Sequence, residues 1–115
     1  MLKIAFEAEK NLHYKQAISY FDAAIAIDSS YADSFYHRGI CYIYMFQPQK
    51  AIADHTKAIA LQPNFIAAYQ ERASIYYVVG EYDLGLKDIN FVLQLDPKNK
   101  ASMDVKALLL EKNKQ

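Results

Sequence analysis

AIADHTKAIALQP, residues 51–63, places alanine and larger apolar residues at the spacing of one helix face and ends at Pro63. Parts of this stretch recur at a constant distance. Thirty-four residues earlier the chain reads AI at 17–18 and AIAI at 24–27, and thirty-four residues later it reads LDP at 95–97. A fixed period of this length indicates stacked helical units instead of one irregular core.

The composition excludes several classes of protein. The 115 residues are 53% hydrophobic and carry a formal net charge of zero, with thirteen basic and thirteen acidic side chains. No basic stripe is present, so we expect no nucleic-acid partner. No apolar run approaches the roughly 20 residues that span a bilayer, so we expect no membrane insertion. A single cysteine, Cys41, precludes an intramolecular disulfide and favours a reducing, cytoplasmic location.

The 3.6-residue periodicity predicts seven helices and no strand. We place them at about residues 1–10, 14–27, 32–45, 48–61, 66–79, 82–95 and 100–113. Pro48 is expected to begin the fourth helix, since proline is favoured at the first helical position. In the last helix, Met103, Ala107 and Leu110 are predicted to face inward.

Residues 32–65 and 66–99 align without a gap. The central unit reads Phe35-x2-Arg38-Gly39-x2-Tyr42, then Ala51-x3-His55, then Ala58-x4-Pro63; the next reads Tyr69-x2-Arg72-Ala73-x2-Tyr76, then Gly85-x3-Ile89, then Val92-x4-Pro97. This pattern resembles the tetratricopeptide repeat, a 34-residue helix–turn–helix unit. The chain departs from that pattern at Gly85, where alanine is usual, and at His55, where a large apolar ring is usual. We expect Gly85 to make a tight contact with a neighbouring helix.

The resemblance implies an all-α, right-handed superhelical solenoid that forms a single domain over residues 1–115. Three helix–turn–helix repeats would cover about 1–31, 32–65 and 66–99, and a C-terminal capping helix would cover about 100–113.

Two pairs of opposite charges lie sixteen residues apart, one residue on each helix of a unit. We predict the salt bridges Arg38–Asp54 and Arg72–Asp88, which would fix the register of the two helices. The same places in the first unit hold the uncharged Ile4 and Tyr20, for which we expect an apolar contact. The alternative is that these residues are unrelated surface charges.

The family's concave groove is formed by the first helix of each repeat and binds partner peptides. The residues that the resemblance places in the groove, and that we take as the candidate site, are Phe6, Tyr36, His37, Ile40, Ile43, Tyr44, Gln70, Glu71, Ser74 and Tyr77. One subclass clamps the C-terminal carboxylate of heat-shock chaperones with two lysines, two asparagines and an arginine. The corresponding places here are Leu2, Phe6, His37, Ala67 and Glu71, so we expect no such clamp.

The sequence therefore predicts an adaptor or scaffold that binds a peptide or helix of a protein partner in an apolar-aromatic groove. The alternative is a self-associating module, a homo-oligomer whose groove is filled by another copy or by its own flanking segment. His13, His37 and His55 are far apart in the repeat register, so no metal site is expected. Cys41 is expected to be a small buried hydrophobe without a nearby base. We therefore predict no enzymatic activity and no cofactor.

Overall fold

A computed structural model of the chain describes residues 13–114. This part of the chain is all-α, with no strand between residues 13 and 114. The helices are α1 (Tyr14–Ile27), α2 (Ala32–Tyr44), α3 (Pro48–Leu61), α4 (Ile66–Val79), α5 (Tyr82–Leu95) and α6 (Lys100–Asn113). The predicted helices agree with these bounds to within one residue, except for the predicted helix at 1–10, which lies outside the described residues.

Local chemistry explains several helix ends. Pro48 is the first residue of α3, as predicted. Proline is favoured there because an N–H at the first helical position has no intrahelical acceptor, so its absence costs no hydrogen bond. Pro63 follows the end of α3. Asn99 caps α6, and its side-chain oxygen accepts a hydrogen bond of 2.9 Å from the Ser102 amide. That cap satisfies one of the amides that the first turn of a helix leaves without an intrahelical acceptor.

The turns after α2 and α4 lie thirty-four residues apart and share a left-handed residue. Its φ is +57° at Phe46 and +84° at Gly80. In each turn the amide of the following residue donates to a carbonyl five residues back, at 2.9 Å and 2.8 Å respectively. This backbone geometry is common at helix C-termini and is easiest for glycine, so Phe46 adopts it at a cost that Gly80 does not bear.

The chain divides into two compact units, Met1–Phe65 and Ile66–Gln115. In the first unit α2 packs against both α1 and α3. Ala17, Phe21 and Cys41 are fully buried where α1 meets α2, which confirms Cys41 as a small buried residue. Ala51 and Ala58 are fully buried on α3, where their small side chains allow close approach to α2.

In the second unit α5 packs against α4 and α6, and Ala73, Ile89 and Leu109 form its fully buried core. The predicted inward face of the last helix was wrong. Met103 is 46% exposed and Leu110 43% exposed, and Ala107 is exposed as well. The buried face instead carries Ser102 and Leu109, with Val105 partly buried between them. The predicted face is rotated from it by about one residue, because apolar residues occur on more than one side of α6.

Gly85 makes the predicted tight contact. A Cβ atom built at Gly85 would lie 2.9 Å from Leu109 Cδ2 on α6 and 3.3 Å from the Ala73 carbonyl oxygen on α4. A methyl group at this position would therefore require the Leu109 side chain to move.

Candidate functional site

The two predicted salt bridges hold the helices that carry the candidate site. Arg38 donates to both carboxylate oxygens of Asp54, from Nε at 2.8 Å and from Nη2 at 2.7 Å. Arg72 grips Asp88 in the same way, at 2.7 Å and 2.6 Å. Both predicted pairs are therefore confirmed: the first joins α2 to α3 and the second joins α4 to α5. The contact predicted for Ile4 and Tyr20 includes a residue outside the described part of the chain.

A third carboxylate, which the sequence reasoning missed, joins the first of these pairs. Arg38 Nη1 donates to Asp22 on α1 at 2.9 Å. Asp22 precedes Arg38 by sixteen residues, the same spacing that separates Arg38 from Asp54, so the signal was present in the sequence. Hydrogen bonds to Asp54 raise the pKa of the Arg38 guanidinium, while burial raises the pKa of the Asp54 carboxyl against the opposing effect of Arg38. The two-point geometry indicates an ionised pair at neutral pH.

The predicted site residues of α2 form an aromatic face that is partly occupied by neighbouring rings. The Tyr36 ring lies 4.9 Å from the Phe65 ring and 5.5 Å from that of the buried His55. The His37 ring packs edge-on against Tyr36 at 5.0 Å. It also lies nearly parallel to the Phe21 ring on α1, at 6.1 Å.

Tyr44, at the end of α2, is the most exposed aromatic residue among the predicted site residues between 13 and 114. It is 58% exposed, and its ring stacks on that of Tyr14 with centroids 4.7 Å apart and an angle of 8° between the planes. Ile40 and Ile43 on the same helix are partly exposed. The first unit therefore offers a fixed, partly exposed apolar-aromatic surface. Phe6, also predicted for the site, lies outside the described residues.

The predicted site residues of the second unit lie on α4 and differ in character. Gln70 is engaged by the C-terminal part of the chain, since its Nε2 donates to Asn99 Oδ1 and to Ser102 Oγ, each at 3.0 Å. Ser74 is exposed and donates to the carbonyl oxygen of Gln70 at 3.1 Å. Tyr77 is partly buried, with its ring 6.1 Å from that of Tyr82.

A cleft of about 180 Å³ brings three of the α4 site residues together with α5 and α6. Its lining residues are Gln70, Glu71, Ser74, Ile89, Ala101, Ser102 and Val105. Ser102 and Ala101 were missed at the sequence level, although the Asn99 cap three residues before Ser102 marks the helix start that positions them. In this cleft burial raises the pKa of the Glu71 carboxyl.

No group of three His, Cys, Asp or Glu side chains that could hold a metal ion occurs among residues 13–114. Within the same range, no helix is long and apolar enough to cross a membrane.

Comparison with known proteins identifies a known repeat in the central part of the chain. A family model described as tetratricopeptide repeat matches residues 32–65, the central predicted unit. The second TPR domain of human RPAP3, solved with an HSP70 peptide, superposes with a TM-score of 0.88 at 24% identity, covering 93% of this chain and 89% of that one. The first TPR of Spaghetti (RPAP3), bound to an HSP90 peptide, gives 0.94 at 19% identity, covering 98% and 90%. Residues 32–65 therefore match the tetratricopeptide repeat, and the chain has the fold of tetratricopeptide repeat (TPR) domains.

Among curated proteins, this TPR chain is similar to DnaJ homolog subfamily C member 3 of Gallus gallus, with 30% identity over 111 residues. The match covers 96% of this chain and 22% of the relative. The chain spans between 12% and 22% of the length of the first three curated relatives it matches. The prediction of an all-α helical repeat fold of the TPR type is confirmed, whereas the repeat bounds and the assignment of one domain remain predictions.

Proposed function

We propose that this TPR chain is an adaptor or scaffold module that binds a peptide or helical segment of a partner protein. The binding residues would be the predicted site residues on α2 and α4. The observation that carries the proposal is the Tyr44 ring, more than half exposed yet held flat against Tyr14. A rigid, exposed tyrosine supplies a large contact area and loses little conformational entropy on binding.

The solved relatives support binding of peptides as the general role of this fold. The second TPR domain of RPAP3 was solved with an HSP70 peptide, and the first TPR of Spaghetti with an HSP90 peptide. The partly exposed Ile40 and Ile43 beside Tyr44 are suited to the apolar side of an extended or helical segment.

The chemistry of the site argues for a partner other than those acidic peptides. The peptides bound to the two relatives, SGPTIEEVD and SRMEEVD, each contain two glutamates and end in aspartate. Three of the places that correspond to a chaperone carboxylate clamp are His37, Ala67 and Glu71. A carboxylate at Glu71 repels an acidic terminus, so we propose that the chain lacks a carboxylate clamp.

A peptide selection tests the proposal. A randomised peptide library is panned on the full chain, and the affinity of the enriched peptides is measured by fluorescence anisotropy. We expect Tyr44→Ala to weaken binding by roughly tenfold or more, as is typical for a central aromatic anchor. The matched control is Ile27→Ala, which removes an apolar side chain that is 75% exposed on α1, and it should change affinity less than about twofold.

Two results contradict the proposal: no peptide is enriched, or enriched peptides bind Tyr44→Ala as tightly as the unaltered chain. Sedimentation of the unaltered chain separates the self-associating alternative, which predicts a concentration-dependent dimer mass that Tyr44→Ala reduces. The two peptides of the relatives serve as further probes, and neither should bind more tightly than the enriched peptides.

A further inference from the structure

Glu71 lines the cleft of the second unit, and no residue between 13 and 114 supplies a counter-charge to its carboxylate. No hydrogen bond or ion pair reaches it from the described residues, and burial alone accounts for the raised pKa of its carboxyl. Transfer of a carboxylate out of water is unfavourable unless a cation or hydrogen-bond donors replace the lost hydration. The cost of burying the Glu71 carboxylate is therefore not compensated by any cation or donor among the described residues.

The other buried carboxylates show how this chain usually compensates a buried negative charge. Asp54 is 5% exposed and Asp88 is 4% exposed, and an arginine on the facing helix binds both oxygens of each. Glu71 lies next to Arg72 on α4, but the Arg72 guanidinium is directed to Asp88 on α5. The contrast indicates that a cation for Glu71 has to come from outside the unit.

The cleft has the shape and lining to accept such a cation on a hydrocarbon stem. It measures about 180 Å³, and the side chains of Ile89, Ala101 and Val105 give it an apolar wall. Ser74 and Ser102 also line the cleft, and their hydroxyl oxygens can accept hydrogen bonds from a cation. Lysine and arginine combine a methylene stem with a terminal cation, which matches both parts of this lining.

We propose that the cleft between α4 and α6 binds a lysine or arginine side chain of the partner segment, with Glu71 as its counter-ion. This inference rests on the proposed peptide-binding function and specifies the chemistry of one of its subsites. It assigns the second unit a preference for positive charge, opposite to that of a carboxylate clamp.

Small probes test the subsite without a known partner. The full chain is titrated at low salt with n-butylammonium, a mimic of the lysine side chain, and with n-butylguanidinium, a mimic of arginine. The neutral control is 1-butanol, which has the same stem. Backbone NMR resonances of residues 70–74 and 101–105 report binding. We expect at least one cation to bind roughly tenfold more tightly than 1-butanol, the effect of one charge-assisted hydrogen bond.

The variants assign this preference to one carboxylate. Glu71→Gln keeps the shape of the side chain and should remove the difference between the cations and 1-butanol. Glu81→Gln, which removes an exposed negative charge from the turn before α5, should retain it. The proposal is overturned if neither cation exceeds 1-butanol, or if the cation preference survives in Glu71→Gln.

The panned peptides distinguish this subsite from the wider function. Enriched peptides that share a lysine or arginine, and lose that preference when selected on Glu71→Gln, support both proposals. Enriched peptides without a shared basic residue overturn the subsite and leave peptide binding intact. A library that yields no peptide counts against the proposed function, and the butyl probes then decide the subsite independently.

Discussion

In both units a glycine allows two neighbouring helices to approach closely, but the glycine lies on the first helix of the pair in one unit and on the second helix in the other. In the first unit Gly39 on α2 lies against Ala51 on α3, and a Cβ atom built at Gly39 would be 3.3 Å from the Ala51 carbonyl oxygen. In the second unit the corresponding places hold Ala73 on α4 and Gly85 on α5. A Cβ atom built at Gly85 would be 3.3 Å from the Ala73 carbonyl oxygen. Each contact thus consists of one glycine and one alanine.

This exchange shows that the repeat limits the combined volume of the two facing positions. Either position can be the glycine, provided that the other is no larger than alanine. The reason for each choice lies in a further neighbour. The imidazole of His55 fills the space beside Gly39, while the Leu109 side chain of α6 fills the space beside Gly85. The two contacts therefore share the same distance to a backbone oxygen and differ in the side chain that packs against the glycine.

The largest expected effect comes from removing the arginine that occupies the same repeat position in each unit, Arg38 or Arg72. Arg38→Met leaves Asp54, whose side chain is 7% exposed, without its cation, and Arg72→Met does the same to Asp88. Each change should lower the free energy of unfolding by about 3 kcal/mol, because an uncompensated charge stays buried. Urea denaturation measures the total, and native-state hydrogen exchange reports the unit in which protection is lost.

The two arginine variants should agree to within about 1 kcal/mol, since the additional partner of Arg38, Asp22, is 54% exposed and exposed pairs contribute little. Lys87→Met removes an exposed cation and serves as the control. A loss below about 1 kcal/mol in both arginine variants contradicts the structural role of the pairs.

These arginine pairs also show what sequence reasoning can recover. Period, helix bounds and the partners of Arg38 and Arg72 follow from spacing, because the repeat brings residues sixteen apart onto facing helices. The face of α6 did not follow, since Met103, Leu109 and Leu110 lie on different sides of that helix and its partners decide which side is buried. The cleft around Glu71 was equally inaccessible, because it depends on how α6 lies against α4.

The glycine exchange gives the next largest effect. Gly39→Ala places a methyl group 2.8 Å from His55 Nε2 and 2.9 Å from its Cδ2, against a rigid and fully buried ring. We expect a loss of about 1 to 2 kcal/mol, the usual result of overpacking. Gly85→Ala instead meets the flexible end of Leu109, and the gain in helix propensity of about 1 kcal/mol offsets part of the strain.

Urea denaturation of the two variants ranks them, with Gly39→Ala expected to be the less stable. Equal losses would indicate that Leu109 is held as rigidly as His55. The double change Gly39→Ala with Ala51→Gly copies the arrangement of the second unit and should relieve the contact with the backbone but not that with His55.

Changing the left-handed turn residues, Phe46 and Gly80, should have a smaller effect on stability, and one that comes almost entirely from the backbone. Phe46 is 91% exposed, so Phe46→Gly loses almost no packing and should stabilise the chain by about 1 kcal/mol through relief of the positive φ. Gly80→Ala makes the converse change where nothing lies within 4 Å, so a loss of about 1 kcal/mol would come from the backbone alone. Thermal unfolding should shift in opposite directions for the two variants, and shifts of the same sign would rule out this account.

The smallest effect separates Glu71 from the paired carboxylates by its pH dependence. Because burial raises the pKa of the Glu71 carboxyl, the native state holds this proton more tightly than the unfolded state does. The chain therefore loses stability as the pH rises from the ordinary carboxyl range through the native pKa of Glu71. Glu71→Gln does not titrate, so it should be more stable than the unaltered chain at pH 7, by about 0.5 kcal/mol after solvent screening.

That difference should disappear below about pH 4, where the carboxyl is protonated in both states. Urea denaturation from pH 3 to pH 8 measures it, and Glu81→Gln controls for the loss of one negative charge. A cation bound in the cleft should also reduce this difference, because it stabilises the ionised Glu71 of the unaltered chain. At pH 7, n-butylammonium should therefore reduce the stability advantage of Glu71→Gln, whereas 1-butanol should have little effect. A variant that is less stable than the unaltered chain at neutral pH would mean that Glu71 already has a stabilising partner, which removes the reason for an external cation.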